Sequence, residues 1–118
     1  MVKVDITARS FEFAVRVVKL CRELEDGGTV TRTLLKQLIR SGTSIGANVE
    51  EAQGGQSKAD FTAKMYIACK EARETHYWLR ILIATEVIEP KRLELLLDES
   101  NQIVAILTTI VKNSKTTI

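Results

Sequence analysis

Leu35-Lys36-Gln37-Leu38-Ile39-Arg40-Ser41-Gly42-Thr43-Ser44-Ile45-Gly46-Ala47-Asn48-Val49-Glu50-Glu51-Ala52 places Leu35, Leu38, Gly42, Ile45, Val49 and Ala52 at alternating steps of three and four. That spacing draws an apolar stripe along one side of an α-helix. A mean step of about 3.5 residues keeps such a stripe facing a neighbour that lies nearly parallel to it. Each glycine inside the helix costs roughly 1 kcal/mol relative to alanine, so something must offset Gly42 and Gly46. Four residues apart, they leave a groove that admits a neighbouring helix at close approach. Ser41, Ser44, Asn48 and Glu51 run beside the stripe as a polar line, placed to hydrogen-bond an adjacent helix.

The same periodicity extends in both directions. The helix around this stretch is expected from about Arg32 to Gln53, capped by Thr31 and ended by Gly54-Gly55. Upstream, Ala14, Val17, Cys21 and Leu24, flanked by Phe11 and Val18, predict a first helix over about 7–25, which Gly27-Gly28 stops. Downstream, Ser57 with Asp60 three residues on is a capping-box variant that opens a third helix over about 58–86. Its seam is Phe61, Met65, Ala68, Ala72, Thr75, Leu79 and Leu82. Pro90 opens a fourth, over about 91–112, because a first-turn residue needs no N–H. Leu96, Ser100, Ile103, Leu107 and Ile110 line it, flanked by Leu97, Val104 and Val111. Residues 113–118 are expected to fray. Four such helices with short connections predict an all-α, antiparallel, up-down-up-down four-helix bundle, one domain over residues 1–118.

Composition agrees with that fold and excludes several functions. With 118 residues, 45% of them hydrophobic, one proline and a net charge of +2, the chain is an ordinary globular one. So small a charge implies nucleic acid only where cations cluster. Cys21 and Cys69 lack metal or redox spacing and read as reduced, buried thiols rather than a disulfide. No apolar run approaches the roughly 20 residues of a membrane span, and Met1-Val2-Lys3-Val4-Asp5 does not open a signal peptide. The reading is cytoplasmic, with no membrane partner.

Catalytic and metal chemistry find little to work with. Di-iron bundles use Glu-x-x-His pairs, but Arg73 stands three residues before His76, the lone histidine. His76 reads as a partly buried structural residue. Glu71-x-x-Glu74 with Glu94, Asp98 and Glu99 loosely resembles the Mg²⁺ carboxylates of all-α nucleotide pyrophosphohydrolases. The Glu94–Asp98 spacing of four, where that family uses three, speaks against it, and solvated helix faces explain these acids more simply. No enzyme, metal or cofactor is expected.

The helix-two stretch resembles the hallmark of the bacterial 23S rRNA intervening-sequence proteins, Arg-x-x-x-Ser-Ile-x-Ala-Asn-Ile-x-Glu. Arg40, Ser44, Ile45, Ala47, Asn48 and Glu51 match it, with Val49 for the isoleucine. Many members have proline where Gly46 stands, which implies a straighter helix here. Ser57-Lys58-Ala59-Asp60-Phe61 and Tyr66-Ile67-Ala68 through Glu71-Ala72 look like family positions too. The resemblance implies a four-helix bundle, a structural role for Arg40, Ser44, Asn48 and Glu51, and a ring-shaped homopentamer. Related accessory variability determinants bind a reverse transcriptase and nucleic acid, which makes those possible partners.

Two surfaces of the third helix complete the reading. At about 100° per residue, Tyr66, Lys70, Arg73, Tyr77 and Arg80 fall opposite the core seam, without an acid in the series. Cations displace counterions from phosphates and tyrosines stack on exposed bases, so this stripe is the candidate nucleic-acid-binding surface. The alternatives for it are a solvated face or a subunit contact. Ile67, Trp78 and Ile81 lie on a flank and are the candidate oligomer interface, Trp being enriched in such contacts. Helix neighbours within the bundle could also cover them. The expected function is a non-enzymatic, homo-oligomeric accessory protein that binds RNA or DNA through basic outer helix faces. A structural or protein-binding scaffold is the alternative, and a Mg²⁺-dependent pyrophosphohydrolase the third.

Overall fold

The computed structural model describes residues 5–116, and among them four helices and no strand: α1 (Ile6–Glu23), α2 (Thr29–Gln53), α3 (Lys58–Ala84) and α4 (Pro90–Thr116). Each helix packs against its sequence neighbours, and α1 also meets α4, so the four surround one core. The stripes of α2 and α3 lie in that core as their spacing predicts, Phe61 alone being only half-buried. On α4, Leu93 and Val111 join Leu96, Ser100, Ile103 and Leu107 inside, while Ile110 is half-buried.

On α1 the core phase differs from the expected one. Phe13, Val17, Leu20 and Cys21 are buried, whereas Phe11 is 58% exposed, Val18 is 37% exposed and Ala14 is half-buried. This helix is apolar on several sides, so its own periodicity leaves its rotation ambiguous. Its partners fix the rotation. A Cβ on Gly42 would stand 3.0 Å from a Val17 methyl, and one on Gly46 would stand 3.3 Å from the Ser10 carbonyl oxygen. The two glycines therefore let α1 sit against α2, which offsets their poor helix propensity.

Contacts between helices follow a reversed order along the chain. Ser10 lies by Gly46, Val17 by Gly42, and the Cys21 thiol donates to the Leu35 carbonyl. Glu51 pairs with Lys64 and Arg40 with Glu71. Thr62 meets Ser114 and Cys69 meets Thr108, while Arg9 pairs with Glu99 and Glu23 with Arg92. Both cysteines are free and buried, and burial pushes the Cys21 thiol up to about 11.

Helix ends depart from their expected places for local reasons. Asp5 caps α1 through a hydrogen bond accepted from the Ala8 N–H, a cap the spacing did not single out. Gly28, at φ +95°, turns the chain straight into α2, so the helix starts at Thr29 and Thr31 lies inside it. Ser57 accepts from the Asp60 N–H as expected. α3 ends two residues early, with Glu86 in the left-handed region at φ 56° and the Val87 N–H reaching back to the Leu82 carbonyl. That is a Schellman-type stop made without the usual glycine. The expected fraying from Asn113 is corrected, since α4 runs on to Thr116. Residues 117 and 118 lie outside the described residues, as do residues 1–4, on which the expectation about a signal peptide falls.

Candidate nucleic-acid interface

All five residues of the outer stripe on α3 are exposed: Tyr66, Lys70, Arg73, Tyr77 and Arg80. Helix geometry forces this, because the opposite face of α3 is occupied by Met65, Ala68, Ala72, Thr75, Leu79 and Leu82. The cations of the chain fall into two groups. Arg9, Arg40, Lys64 and Arg92 each hold a carboxylate of another helix. Among the described residues, Arg73 and Arg80 pair with none, as is also true of Arg16, Arg22 and Arg32. The charge of Arg80 acts instead on His76, whose pKa is lowered chiefly by partial burial and then by that neighbouring cation.

The tyrosines are ordered differently. The Tyr77 ring meets Trp78 edge-on, with centroids 5.3 Å apart. The Tyr66 ring is flanked by two ammonium groups, Lys70 Nζ at 5.9 Å and Lys115 Nζ at 5.4 Å from its centroid. Lys115 is a residue the sequence reading missed. It reaches the stripe only because α4 stays helical past Asn113 and lies beside the first turns of α3. No periodicity within α3 could announce a cation from another helix.

The candidate oligomer surface is less uniform than the stripe. Ile67 is 38% exposed, Ile81 is half-buried, and Trp78 is half-buried against the core, with its Nε1–H donating to Glu74 Oε2 at 3.2 Å. Its own bundle therefore covers part of Trp78.

Within the α2 motif the four polar residues do two jobs. Arg40 reaches across to α3, with Nη1 3.2 Å from Glu71 and Nη2 in contact with Glu74, the carboxylate that also takes the Trp78 N–H. Glu51 pairs with Lys64 of α3 at 3.6 Å. Ser44 and Asn48 are half-buried, and Asn48 Nδ2 donates to the Ser44 carbonyl and hydroxyl within α2. The interhelical hydrogen bond expected of the polar line comes from Ser41 alone, whose buried hydroxyl lies 2.9 Å from Thr75 Oγ1 of α3.

Four of the five acids that resemble a Mg²⁺ site are otherwise engaged, Glu94 being the exposed exception. Glu71 and Glu74 are held by Arg40, Glu99 is held by Arg9, and Asp98 accepts from Gln102. Among the described residues, no group of three His, Cys, Asp or Glu side chains could hold a metal ion, and no helix is long and apolar enough to cross a membrane.

Comparison with known proteins bears on this arrangement as a whole. The family described as 23S rRNA-intervening sequence protein matches residues 2–109. A crystal structure of a protein with unknown function from the S23 ribosomal protein family of Bacteroides thetaiotaomicron VPI-5482 superposes with a TM-score of 0.84 at 46% identity. The match covers 92% of this chain and 99% of that one. No curated protein matches. With the α2 motif, the four-helix architecture and the match over residues 2–109 in agreement, the chain belongs to the 23S rRNA-intervening sequence protein family.

Proposed function

We propose that the chain is a non-enzymatic, homo-oligomeric accessory protein that associates with RNA or DNA through the outer face of α3. In this reading residues 1–118 form one domain, an antiparallel up-down-up-down bundle. The reversed order of the interhelical contacts supports that topology. A pentamer follows the family resemblance. The assignment of Ile67, Trp78 and Ile81 at or beside the subunit contact rests on their position on a flank of α3, and that of cytoplasmic residence on two buried, reduced cysteines.

One observation carries the nucleic-acid reading. Arg73 and Arg80 project from the same face as Tyr66, Lys70 and Tyr77 and have no carboxylate partner among the described residues, unlike Arg9, Arg40 and Arg92. Unpaired guanidinium groups give up no existing bond on meeting a phosphate. An oligomer repeats the stripe and multiplies weak contacts.

The test is Arg73→Glu combined with Arg80→Glu in a protein shown to remain helical and assembled. Its association with RNA or DNA is expected to weaken uniformly across sequences, with a salt slope flatter by about two. Wild type without salt-sensitive binding to any nucleic acid would replace this reading with the scaffold. An unchanged double mutant would move the surface to α1. There Arg16 and Lys19 are the candidates, since Arg9 is held by Glu99 and Gln102. Light scattering on the same samples is expected to give a multiple of the 13.2 kDa chain mass, and a monomer at micromolar concentration overturns the assembly.

The scaffold reading has its own support in exposed apolar side chains outside the stripe. Phe11 is 58% exposed, and Val30 and Leu95 are each 73% exposed. Such residues suit a protein partner better than a phosphate backbone.

A further inference from the structure

Beyond the stripe, the first turns of α3 and the last turn of α4 enclose an open groove of about 560 Å³ that includes Lys58, Thr62, Tyr66, Ser114 and Lys115 in its lining. Its volume falls within the range of small-molecule sites, roughly 300–1,000 Å³. Thr62 and Ser114 hydroxyls meet across its floor. The ring of Tyr66, 47% exposed, forms a wall, with the flexible Lys115 and Lys70 side chains placing their ammonium groups over it. Asp60, the acid of the first turn of α3, is not part of the lining.

We propose that this groove seats one unpaired nucleotide, and that the surface of α3 thereby prefers single-stranded nucleic acid to duplex. The inference rests on the nucleic-acid reading above and adds a ligand form and a site to it. An aromatic ring can stack only on a base whose face is free, which a duplex does not offer along its length. Cations attract phosphates of either form. Tyr66 therefore contributes to single-strand binding alone, while Lys70 and Lys115 hold the phosphates on either side of the stacked base. The Thr62 hydroxyl donates to the Lys58 carbonyl and Ser114 to Thr62, so the pair offers acceptor lone pairs, which suit the N–H edge of a base or a sugar hydroxyl. Lys58, on the first turn of α3, lies where the positive end of the helix also favours an anion.

Fluorescence anisotropy with a homopolymeric single-stranded RNA and a duplex of equal length, at one salt concentration, tests this. Wild type is expected to prefer the single strand. Tyr66→Leu should weaken single-strand binding about tenfold, the loss of one base stack, and leave duplex binding unchanged. Tyr66→Phe keeps the ring and should retain the preference, which guards against a folding defect in the leucine variant. Lys115→Glu, on an exposed last turn, should weaken both forms. Equal binding of both forms by wild type, or an unaltered preference in Tyr66→Leu, overturns the groove while leaving the α3 stripe standing. Wild type that binds neither form overturns both.

Discussion

Gly46→Leu is expected to lower the melting temperature of the protein by roughly 10 °C or more, whereas Gly46→Ala should leave it nearly unchanged. The difference lies in what each added atom meets. A Cβ at Gly46 would stand 3.3 Å from the carbonyl oxygen of Ser10 and 3.4 Å from its carbonyl carbon and hydroxyl oxygen. For alanine, a shift of a few tenths of an ångström suffices, and a gain of about 1 kcal/mol in helix propensity offsets it. Leucine adds three more carbons toward backbone, which no rotamer change of a neighbour can clear, so α1 must move away from α2. Overpacking of this kind typically costs about 1–3 kcal/mol and occasionally more. Displacing α1 would also pull at the Arg9–Glu99 pair on its other side. Thermal melts of the three proteins, followed by helical circular dichroism, decide it. A leucine variant that melts with wild type would mean that α1 does not rest on Gly46.

How far the sequence discloses this molecule differs from helix to helix. The seams of α2 and α3 are legible because one face of each is apolar and the opposite face is charged. The rotation of α1 is not, because Phe11, Phe13, Val15, Val17 and Val18 surround it with apolar side chains. Only the match between its small Ser10 and Gly46, and between Val17 and Gly42, selects one face, and those contacts are non-local. The outward stripe of α3 was legible for the same reason as its seam, since both follow from one periodicity. Lys115 was not, since its place beside Tyr66 depends on how far α4 extends and which helix it lies against. The motif is legible as a pattern, yet its physical content is divided. Arg40 and Glu51 tie α2 to α3, Ser44 and Asn48 bond within α2, and Ser41, outside the matched positions, makes the buried link to Thr75.

Phe13→Ala is expected to be the most damaging of the single substitutions considered for this chain, and its neighbour Phe11→Ala nearly silent in the fold. Phe13 is fully buried, while Phe11 is 58% exposed, although both are phenylalanine on one helix two residues apart. Two residues turn a helix by about 200°, so the two rings must point to nearly opposite sides. Truncating a buried phenylalanine loses its transfer free energy and leaves a cavity, together about 3–5 kcal/mol. Against a total stability of about 5–15 kcal/mol, that removes a large share, and the melting temperature should fall by roughly 15 °C. Phe11→Ala should stay within about 0.5 kcal/mol of wild type as a matter of folding. The pair also separates folding from assembly when chemical denaturation is repeated across protein concentrations. A Phe13 defect in the core persists at every concentration. A Phe11 defect that appears only where subunits associate would assign that exposed ring to a contact between copies. Should Phe11→Ala prove the more destabilising at all concentrations, α1 is rotated as its own apolar spacing alone suggests, and Phe13 faces solvent.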